Sequence, residues 1–297
     1  MTVRFALLLA PVACAIGTLA AAAEPDWPAI DRVLGRPGSV QAAGIHRYGL
    51  PRADLDVTVD GVTIKPGLAL GGWVAFEPMP SGGTMLMGDL VLKDTELSPV
   101  MAKLLEGGLE VTAIHNHLLR TSIPVFYMHV GGHGDPVQLA STLHAALEVS
   151  ATPLTQPPAG LAPPALDLNT AALDRILGAS GKANGGVYQF GLARAETIME
   201  GEVPVPPPMG TGTTINFQPT GDGKAAISGD FVLLAGEVNP VMKALRHGGI
   251  EVTALHSHMI DESPRLYFMH FWANDDAQKL ALGVKAALSL VNLKLSD

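Results

Sequence analysis

Two histidine triplets with the same spacing are the groups in this chain best suited to chemistry. In each triplet the second histidine follows the first by two positions, and the third follows twelve positions later. The six residues are His115, His117 and His129 in the first triplet and His256, His258 and His270 in the second. Zinc, copper and iron all accept imidazole nitrogen, and three imidazoles leave a fourth coordination position open. The spacing therefore predicts a transition-metal site in each triplet, provided that the chain brings the three rings together.

The residues around each triplet are typical of a β-hairpin. Side chains alternate between the two faces of a strand, so His115 and His117 are expected to share a face. The eleven residues between His117 and His129 include Ser122 and Pro124, which favour a strand end and a turn. A hairpin would bring His129 beside the first two rings, and the same reasoning applies to the second triplet.

The same alternation assigns the neighbours of the histidines to the opposite face. Met128, Met259 and Met269 each adjoin a triplet histidine, so their thioethers are expected in the core behind the histidine face. Glu110 and Glu251 stand an odd number of positions from the first histidine of each triplet. They are expected to point away from the imidazoles.

A candidate fourth ligand is present in the first copy of the pattern. His133 has the parity of His129 and can reach the same face if the strand continues through the intervening glycines. Asn274 takes this place in the second copy. The sequence therefore leaves open whether the two sites hold the same metal.

Carboxylates that recur in both halves are candidates for a metal ligand or a general base. Asp89 and Asp230 lie on a predicted strand, whereas Glu96 and Glu237 lie just before a predicted helix. We favour Glu96 and Glu237, because residues that enter a helix beside a sheet can reach across its end. The alternative is the ordinary preference for acidic residues at a helix N-terminus.

Two arginines recur in the same way. Arg52 in "GLPRAD" and Arg194 in "GLARAE" are candidates for holding a small anionic ligand, since a guanidinium binds carboxylate and phosphate groups. A surface ion pair is the alternative explanation for both.

An internal duplication explains why these groups occur in pairs. Residues 99–117 return as residues 240–258, an offset of 141 positions (240 − 99) with twelve of nineteen residues identical. The proline-rich stretch 151–167 between the copies is typical of a stiff, extended connector. We therefore predict two repeats, residues 27–150 and 168–297.

Each repeat is predicted to be an α+β unit with a mostly antiparallel sheet and two or three helices. The element order is α-βββ-α-ββ-α, and the three strands before the central helix are assigned to "LDVTVDGVTI", "GGWVAFEP" and "TMLMGDLVLK". The pairs Ser98-Pro99 and Asn239-Pro240 predict the start of the central helix, as an N-cap followed by proline at the first helical position.

Composition and the N-terminal residues predict an exported protein. Residues 1–23 combine one basic residue, Arg4, with an interrupted apolar stretch and a small-residue end, as in a secretory signal peptide. The single cysteine, Cys14, lies inside this stretch, in a context that favours ordinary cleavage over lipid attachment. A periplasmic or secreted location follows. The formal net charge of −9 argues against nucleic acid as a partner, and no later segment reaches transmembrane length.

Several runs resemble one family of exported bacterial proteins, the LppY/LpqO family. These runs include "GLPRADLDVTVDGVTIKP", "GDLVL", "EVTAIHNHL" and "FYMHVGGHGDP". The resemblance covers both repeats and implies an exported protein, commonly a lipoprotein, built from a domain of unknown function. It supplies no reaction and no ligand.

Three functions remain open at this point. The leading hypothesis is a periplasmic metal-binding protein in which each triplet binds one ion, zinc or copper first and iron as a further possibility. The second is a metal-dependent hydrolase or lyase, with Glu96 or Glu237 as the proton-transfer group. The third is a non-catalytic envelope-binding module with structural histidines.

Overall fold

The computed structural model describes residues 24–155 and 165–294. The predicted signal peptide, residues 1–23, and much of the predicted connector lie outside these ranges. Within them, no helix combines the length and the apolar character that a bilayer crossing needs.

The first repeat is organised around a six-stranded antiparallel sheet. The repeat contains eight strands, which are β1 (Ser39–Val40), β2 (His46–Pro51), β3 (Thr58–Val59), β4 (Val62–Thr63), β5 (Gly71–Pro78), β6 (Thr84–Lys93), β7 (Glu110–His115) and β8 (Val125–Gly134). Its helices are α1 (Trp27–Leu34), α2 (Pro66–Ala69), α3 (Asp94–Glu106) and α4 (Pro136–Glu148). The sheet has the order β1-β2-β5-β6-β8-β7, and β3 and β4 form a separate hairpin.

The second repeat has the same plan. Its strands are β9 (Lys182–Asn184), β10 (Val187–Leu192), β11 (Met199–Glu200), β12 (Val203–Pro204), β13 (Thr213–Gly221), β14 (Lys224–Leu233), β15 (Glu251–His256), β16 (Glu262–Ser263) and β17 (Tyr267–Asp276). Its helices are α5 (Thr170–Leu177), α6 (Ala235–His247) and α7 (Ala277–Leu288). The six-stranded sheet has the order β15-β17-β14-β13-β10-β9, and a small sheet has the order β12-β11-β16.

The predicted α+β class is confirmed, but one run was assigned to the wrong place. The run "LDVTVDGVTI" forms the β3–β4 hairpin outside the main sheet. The first sheet strand before the central helix is instead β2, which pairs with β5. Its alternation was obscured by Gly49 and Pro51, although Tyr48 and Leu50 point into the core.

The central helices begin earlier than predicted. Helix α3 starts at Asp94 and contains Pro99, and α6 starts at Ala235 and contains Pro240. Glu96 therefore lies in the first turn of α3, where its carboxylate accepts a hydrogen bond from the Lys93 backbone N–H at 2.9 Å. This bond satisfies a backbone donor at the helix start and moves the start one turn ahead of the proline.

Each sheet packs helices on one face and the other repeat on the opposite face. In β6, Leu86 and Leu90 belong to the core beneath the helices, together with Leu143 of α4. Met85 of the same strand belongs to a core that also contains Phe268 of the second repeat. The fold is thus layered as helices, sheet, sheet and helices, with the two inner faces against each other.

The methionines beside the histidines are divided between these layers. Met128 and Met269 lie in the cores beneath the helices, as predicted. The prediction for Met259 was wrong, because this residue lies in the core between the repeats. Strand β15 ends at His256, so strand alternation does not extend to residue 259.

Candidate metal centre

The two histidine triplets form one cluster at the interface of the repeats, where the sequence predicted two separate sites. Each ring of the first repeat stacks on a ring of the second. The distances between ring centroids are 3.5 Å for His115 and His256, 3.7 Å for His117 and His270, and 3.7 Å for His129 and His258. Rings within a repeat are farther apart, with 5.0 Å between His115 and His129. The three pairs follow a pseudo-twofold relation that exchanges the repeats.

Antiparallel pairing of β7 with β8 positions the first triplet. His115 is the last residue of β7, and His117 follows just after the strand. His129 lies within β8, where it pairs with Ala113 of β7 on one side and with Asp89 of β6 on the other. The predicted folded-back strands are therefore present, and β15 and β17 repeat them.

A β-bulge in each histidine strand helps to join the repeats. The pairing register shifts between Val111 and Ala113, and the threonine between them, Thr112, reaches the other repeat. Its hydroxyl donates a hydrogen bond of 2.6 Å to the backbone carbonyl of His258. In the reciprocal contact, the Thr253 hydroxyl donates to the carbonyl of His117 at 2.6 Å. Bulges commonly re-aim a side chain in this way, and these two fix the cluster backbone from both sides.

The bulge in β15 overturns the prediction that Glu251 faces away from the histidines, and the equivalent bulge in β7 does so for Glu110, which pairs with Gly131. An extra residue in β15 reverses the alternation, so Glu251 pairs with Trp272, whose ring lies in the core between the repeats. The Glu251 carboxylate accepts a hydrogen bond from Arg120 of the first repeat at 2.7 Å. An odd spacing predicts opposite faces only in a regular strand.

The number of buried polar atoms without a hydrogen-bond partner is the most distinctive property of the cluster. His129, His258 and His270 are 5 %, 8 % and 2 % exposed. Among the described residues, the buried polar side-chain atoms without a hydrogen-bond partner include eight from this cluster. They are Asp89 Oδ1, His115 Nδ1, His129 Nε2, Asp230 Oδ1, His256 Nδ1 and Nε2, His258 Nε2 and His270 Nε2. Because buried polar groups in proteins are normally paired, this concentration calls for a specific explanation.

Two aspartates complete the cluster. Asp89 lies 3.7 Å from Nε2 of both His117 and His129. Asp230 lies 3.6 Å from Nε2 of His258 and 4.0 Å from Nε2 of His270. These distances are too long for hydrogen bonds but suit atoms that share a ligand.

The potential ligand atoms fall into three overlapping groups, and within each group they lie within 4.8 Å of one another. The groups are His115, His129, His256 and His258; His115, His117 and His270; and Asp230, His258 and His270. Each of the two histidine-only groups draws on both repeats. The duplication therefore supplies one composite donor set.

Burial keeps the imidazoles in the neutral form that binds metals. It lowers the pKa of His129 to about 3, with a further contribution from His256, and it lowers the pKa of His256 to about 4. Desolvation likewise raises the pKa of Asp89 to about 8, although the positive charge of Arg47 opposes the shift. A bound cation would lower the pKa of Asp89 again, since the positive charge of the ion favours carboxylate over carboxylic acid.

The secondary candidates Arg52 and Glu96 bind each other and lie outside the ligand groups. An Arg52 nitrogen donates to Glu96 Oε2 at 2.7 Å, and another donates to Asp54 at 2.9 Å. The second carboxylate oxygen of Glu96 accepts from the Ala151 backbone N–H at 3.0 Å. The arginine is completely buried. We call this arrangement the Arg–Glu latch, because it ties a strand end, a helix start and the segment after α4 together.

The second repeat has an equivalent latch, and His133 also lies apart from the cluster. Arg194 donates to Glu237 at 2.7 Å, and Glu237 accepts from the Leu234 backbone N–H at 2.7 Å. His133 is exposed near the end of β8 and is absent from the ligand groups among the described residues.

The sequence contained a signal for the aspartates that the preference for Glu96 and Glu237 overlooked. Asp89 and Asp230 interrupt otherwise apolar strands at equivalent positions, "GDLVL" and "GDFVL". A charged residue is costly inside a buried strand unless it has a partner. The strand register places them opposite His129 and His270, yet one oxygen of each carboxylate has no hydrogen-bond partner.

Comparisons with solved structures give distant matches. A trimeric bacterial microcompartment shell protein, PduB, is 13 % identical, with a TM-score of 0.21 over 86 % of this chain and 89 % of that chain. EtuB from Clostridium kluyveri is 10 % identical, with a TM-score of 0.20 over 85 % of this chain and 88 % of that chain. Such low TM-scores carry no argument about this protein.

The family comparison is more informative. No curated protein sequence matches the chain. One family model, described as a Domain of Unknown Function (DUF1259), matches residues 28–149 and again residues 171–290. Since the two matches together span most of the sequence, the chain belongs to the DUF1259 family and contains its domain twice.

Proposed function

We propose that this protein binds transition-metal ions in the composite cluster between its repeats. The observation that carries the proposal is the convergence of eight buried, unpaired polar atoms from histidines and aspartates. Buried imidazole nitrogens without a hydrogen-bond partner are costly in structural residues, whereas metal coordination would use the same atoms. This favours metal binding over the hypothesis of purely structural histidines.

The donor set supports zinc or copper as the ion, with iron as a further candidate. It is rich in imidazole, which all three metals accept, and it contains one carboxylate on each side of the pseudo-twofold relation. Because each aspartate lies between two histidines, we propose up to two ions, related by the same symmetry. His115 and His256 lie between them and are available to either ion.

The proposal stops at binding and does not extend to catalysis. The hydrolase or lyase alternative needs a proton-transfer group, for which the sequence offered Glu96 and Glu237. Both carboxylates are engaged by arginines and backbone donors in the latches.

Export remains part of the proposal. It rests on the composition of residues 1–23 and on the resemblance of both repeats to the LppY/LpqO family. In a periplasmic or secreted setting, the function would be metal storage, delivery or sensing.

Elemental analysis of the purified protein tests the proposal. The double variant His115→Ala/His117→Ala removes two imidazoles from the cluster and is expected to lose most of the bound zinc or copper. His144→Ala is the matched control, because His144 lies on α4 and within 3.5 Å of Glu148, away from the ligand groups. Equal metal content in the double variant and the wild-type protein would rule the site out.

A further inference from the structure

A narrow cleft reaches the histidine cluster from one side. Its cavity volume is about 20 Å³, which is enough for one water molecule or a small ion. His129 and His258 line it, and the Nε2 atoms of both rings have no hydrogen-bond partner. Three methionines and Trp73 contribute to its walls.

The methionines of the cleft come from three separate segments. Met87 lies on β6, Met209 lies in a 3₁₀ turn of the second repeat, and Met259 follows β15. They are 7 %, 2 % and 5 % exposed, so each thioether is held inside the protein. Methionine often fills gaps in cores, but here all three line one small cavity that is also lined by imidazoles with unpaired nitrogens.

The equivalent position on the other side of the cluster is filled. The offset of 141 places Trp272 where the cleft has Gly131. The Trp272 ring lies in the core between the repeats and is 4 % exposed, and its Nε1 donates to Asp60 at 3.0 Å. At Gly131, an added Cβ would have no non-neighbouring atom closer than 3.9 Å, so the space remains open.

The thioethers are confined to the open side in the same way. The offset of 141 relates Met87 to Ser228 and Met259 to Leu118. Three histidines and one aspartate of the cluster recur in each repeat, whereas the opening, Met87 and Met259 do not recur. A duplicated structural core does not require this asymmetry, but a ligand that enters from one side does.

We propose that the cleft is a loading site for a soft monovalent cation, copper(I) or silver(I), bound by thioethers of Met87, Met209 and Met259 beside His129 and His258. Thioether sulfur favours such ions over zinc. The site rests on the proposed metal-binding function, since it shares two imidazoles with the cluster. To that function it adds a preference for soft monovalent ions and an entry route for them from the side of Gly131.

X-ray absorption spectroscopy of the copper(I)-loaded protein tests this site. The triple variant Met87→Leu/Met209→Leu/Met259→Leu removes the sulfur atoms and nearly conserves side-chain volume. The matched control is Met128→Leu/Met269→Leu, which changes two methionines beneath the helices. We expect sulfur in the copper shell of the wild-type protein and the control, its loss in the triple variant, and copper(I) affinity lower by about tenfold or more.

The outcomes separate this inference from the proposed function. If the wild-type protein binds zinc but its copper(I) shell contains no sulfur, the loading site is excluded and the histidine cluster stands. A sulfur shell that persists in the triple variant also excludes the site, since Cys14 or another methionine must supply it. If His115→Ala/His117→Ala keeps the metal content of the wild-type protein while copper(I) still shows methionine sulfur, the proposed cluster fails and the cleft site remains.

A second variant guards against misfolding of the triple variant. Gly131→Trp copies the residue of the closed side while all three methionines remain. It is expected to abolish the sulfur shell by filling the cleft, whereas Gly131→Ala is expected to leave it in place. A full sulfur shell in Gly131→Trp would overturn the proposal.

Discussion

The Arg–Glu latches and the histidine cluster are both buried, polar and duplicated, but they differ in how their polar atoms are satisfied. In the first latch, both carboxylate oxygens of Glu96 accept hydrogen bonds, and the Arg52 nitrogens have carboxylate or carbonyl partners. In the cluster, eight atoms have no partner. Recurrence in both repeats is therefore common to the two groups, whereas the satisfaction of their hydrogen bonds separates them.

Acidification is expected to produce the largest effect, and it should act through the cluster. Burial lowers the pKa of His129 to about 3 and of His256 to about 4, below the value near 6.5 of an unfolded chain. Their stabilising contribution is present above pH 6.5 and is lost as the pH falls toward the folded pKa, because the unfolded state binds the protons. Asp89 has a raised pKa of about 8, so its protonation stabilises the folded state as the pH falls below that value. The six histidines outnumber the two aspartates, so the net effect of acidification on the cluster should be a loss of stability.

Urea denaturation of the metal-free protein measures this effect. Between pH 7 and pH 4.5 the free energy of unfolding should fall steeply, since each shifted unit on one group corresponds to about 1.4 kcal/mol. The variant His115→Ala/His117→Ala should show a shallower decline. Identical pH profiles for this variant and the wild-type protein would mean that the cluster is not the acid-sensitive element.

Breaking a latch is expected to have the next largest effect. Arg52→Ala removes the closest charged partner of the buried Glu96 carboxylate and leaves only Lys93 at 3.6 Å, and losses of this kind cost about 3–5 kcal/mol. Urea denaturation gives the stability, and elemental analysis gives the metal content per folded protein, which should not change. A loss of metal as large as in the histidine double variant would place the latch within the binding site.

Metal addition should stabilise the protein by a smaller amount. An ion that binds the folded state alone adds about 2.7 kcal/mol at a free concentration of one hundred times Kd. Thermal unfolding with and without zinc should show this gain in the wild-type protein and in His144→Ala. The gain should be absent in His115→Ala/His117→Ala, and a gain of equal size there would point to binding elsewhere.

The smallest effect is expected at the surface contact between the repeats. Arg120 pairs with Asp60 and Glu251, but its side chain is 48 % exposed, and solvent screens such pairs. Arg120→Ala should therefore change neither the midpoint of urea unfolding nor the metal content appreciably. A marked loss of metal would show that this contact holds the two histidine strands in position.

The sequence by itself determined the duplication, the α+β class and the paired strands that carry the two histidine triplets. Each of these depends on local pattern, namely a repeated run, the period of apolar residues and the alternation of side chains along a strand. For this reason the placement of Met128 and Met269 beneath the helices was also predictable. The start of the central helix was not predictable, because the Glu96 carboxylate caps the helix ahead of the proline. The face on which Glu251 lies was not predictable either, because a bulge in β15 reverses the alternation of side chains.

Tertiary structure alone decided that the two triplets form one centre. Rings such as His115 and His256 are 141 positions apart (256 − 115), and no local pattern specifies which faces of two sheets meet. The inner faces meet because each sheet already has helices on its other face and can bury its remaining apolar surface only against the other repeat. That packing brings the imidazoles together around the pseudo-twofold axis and places Asp89 and Asp230 beside them. It leaves the cluster open on the side of Gly131, whereas Trp272 closes the other side.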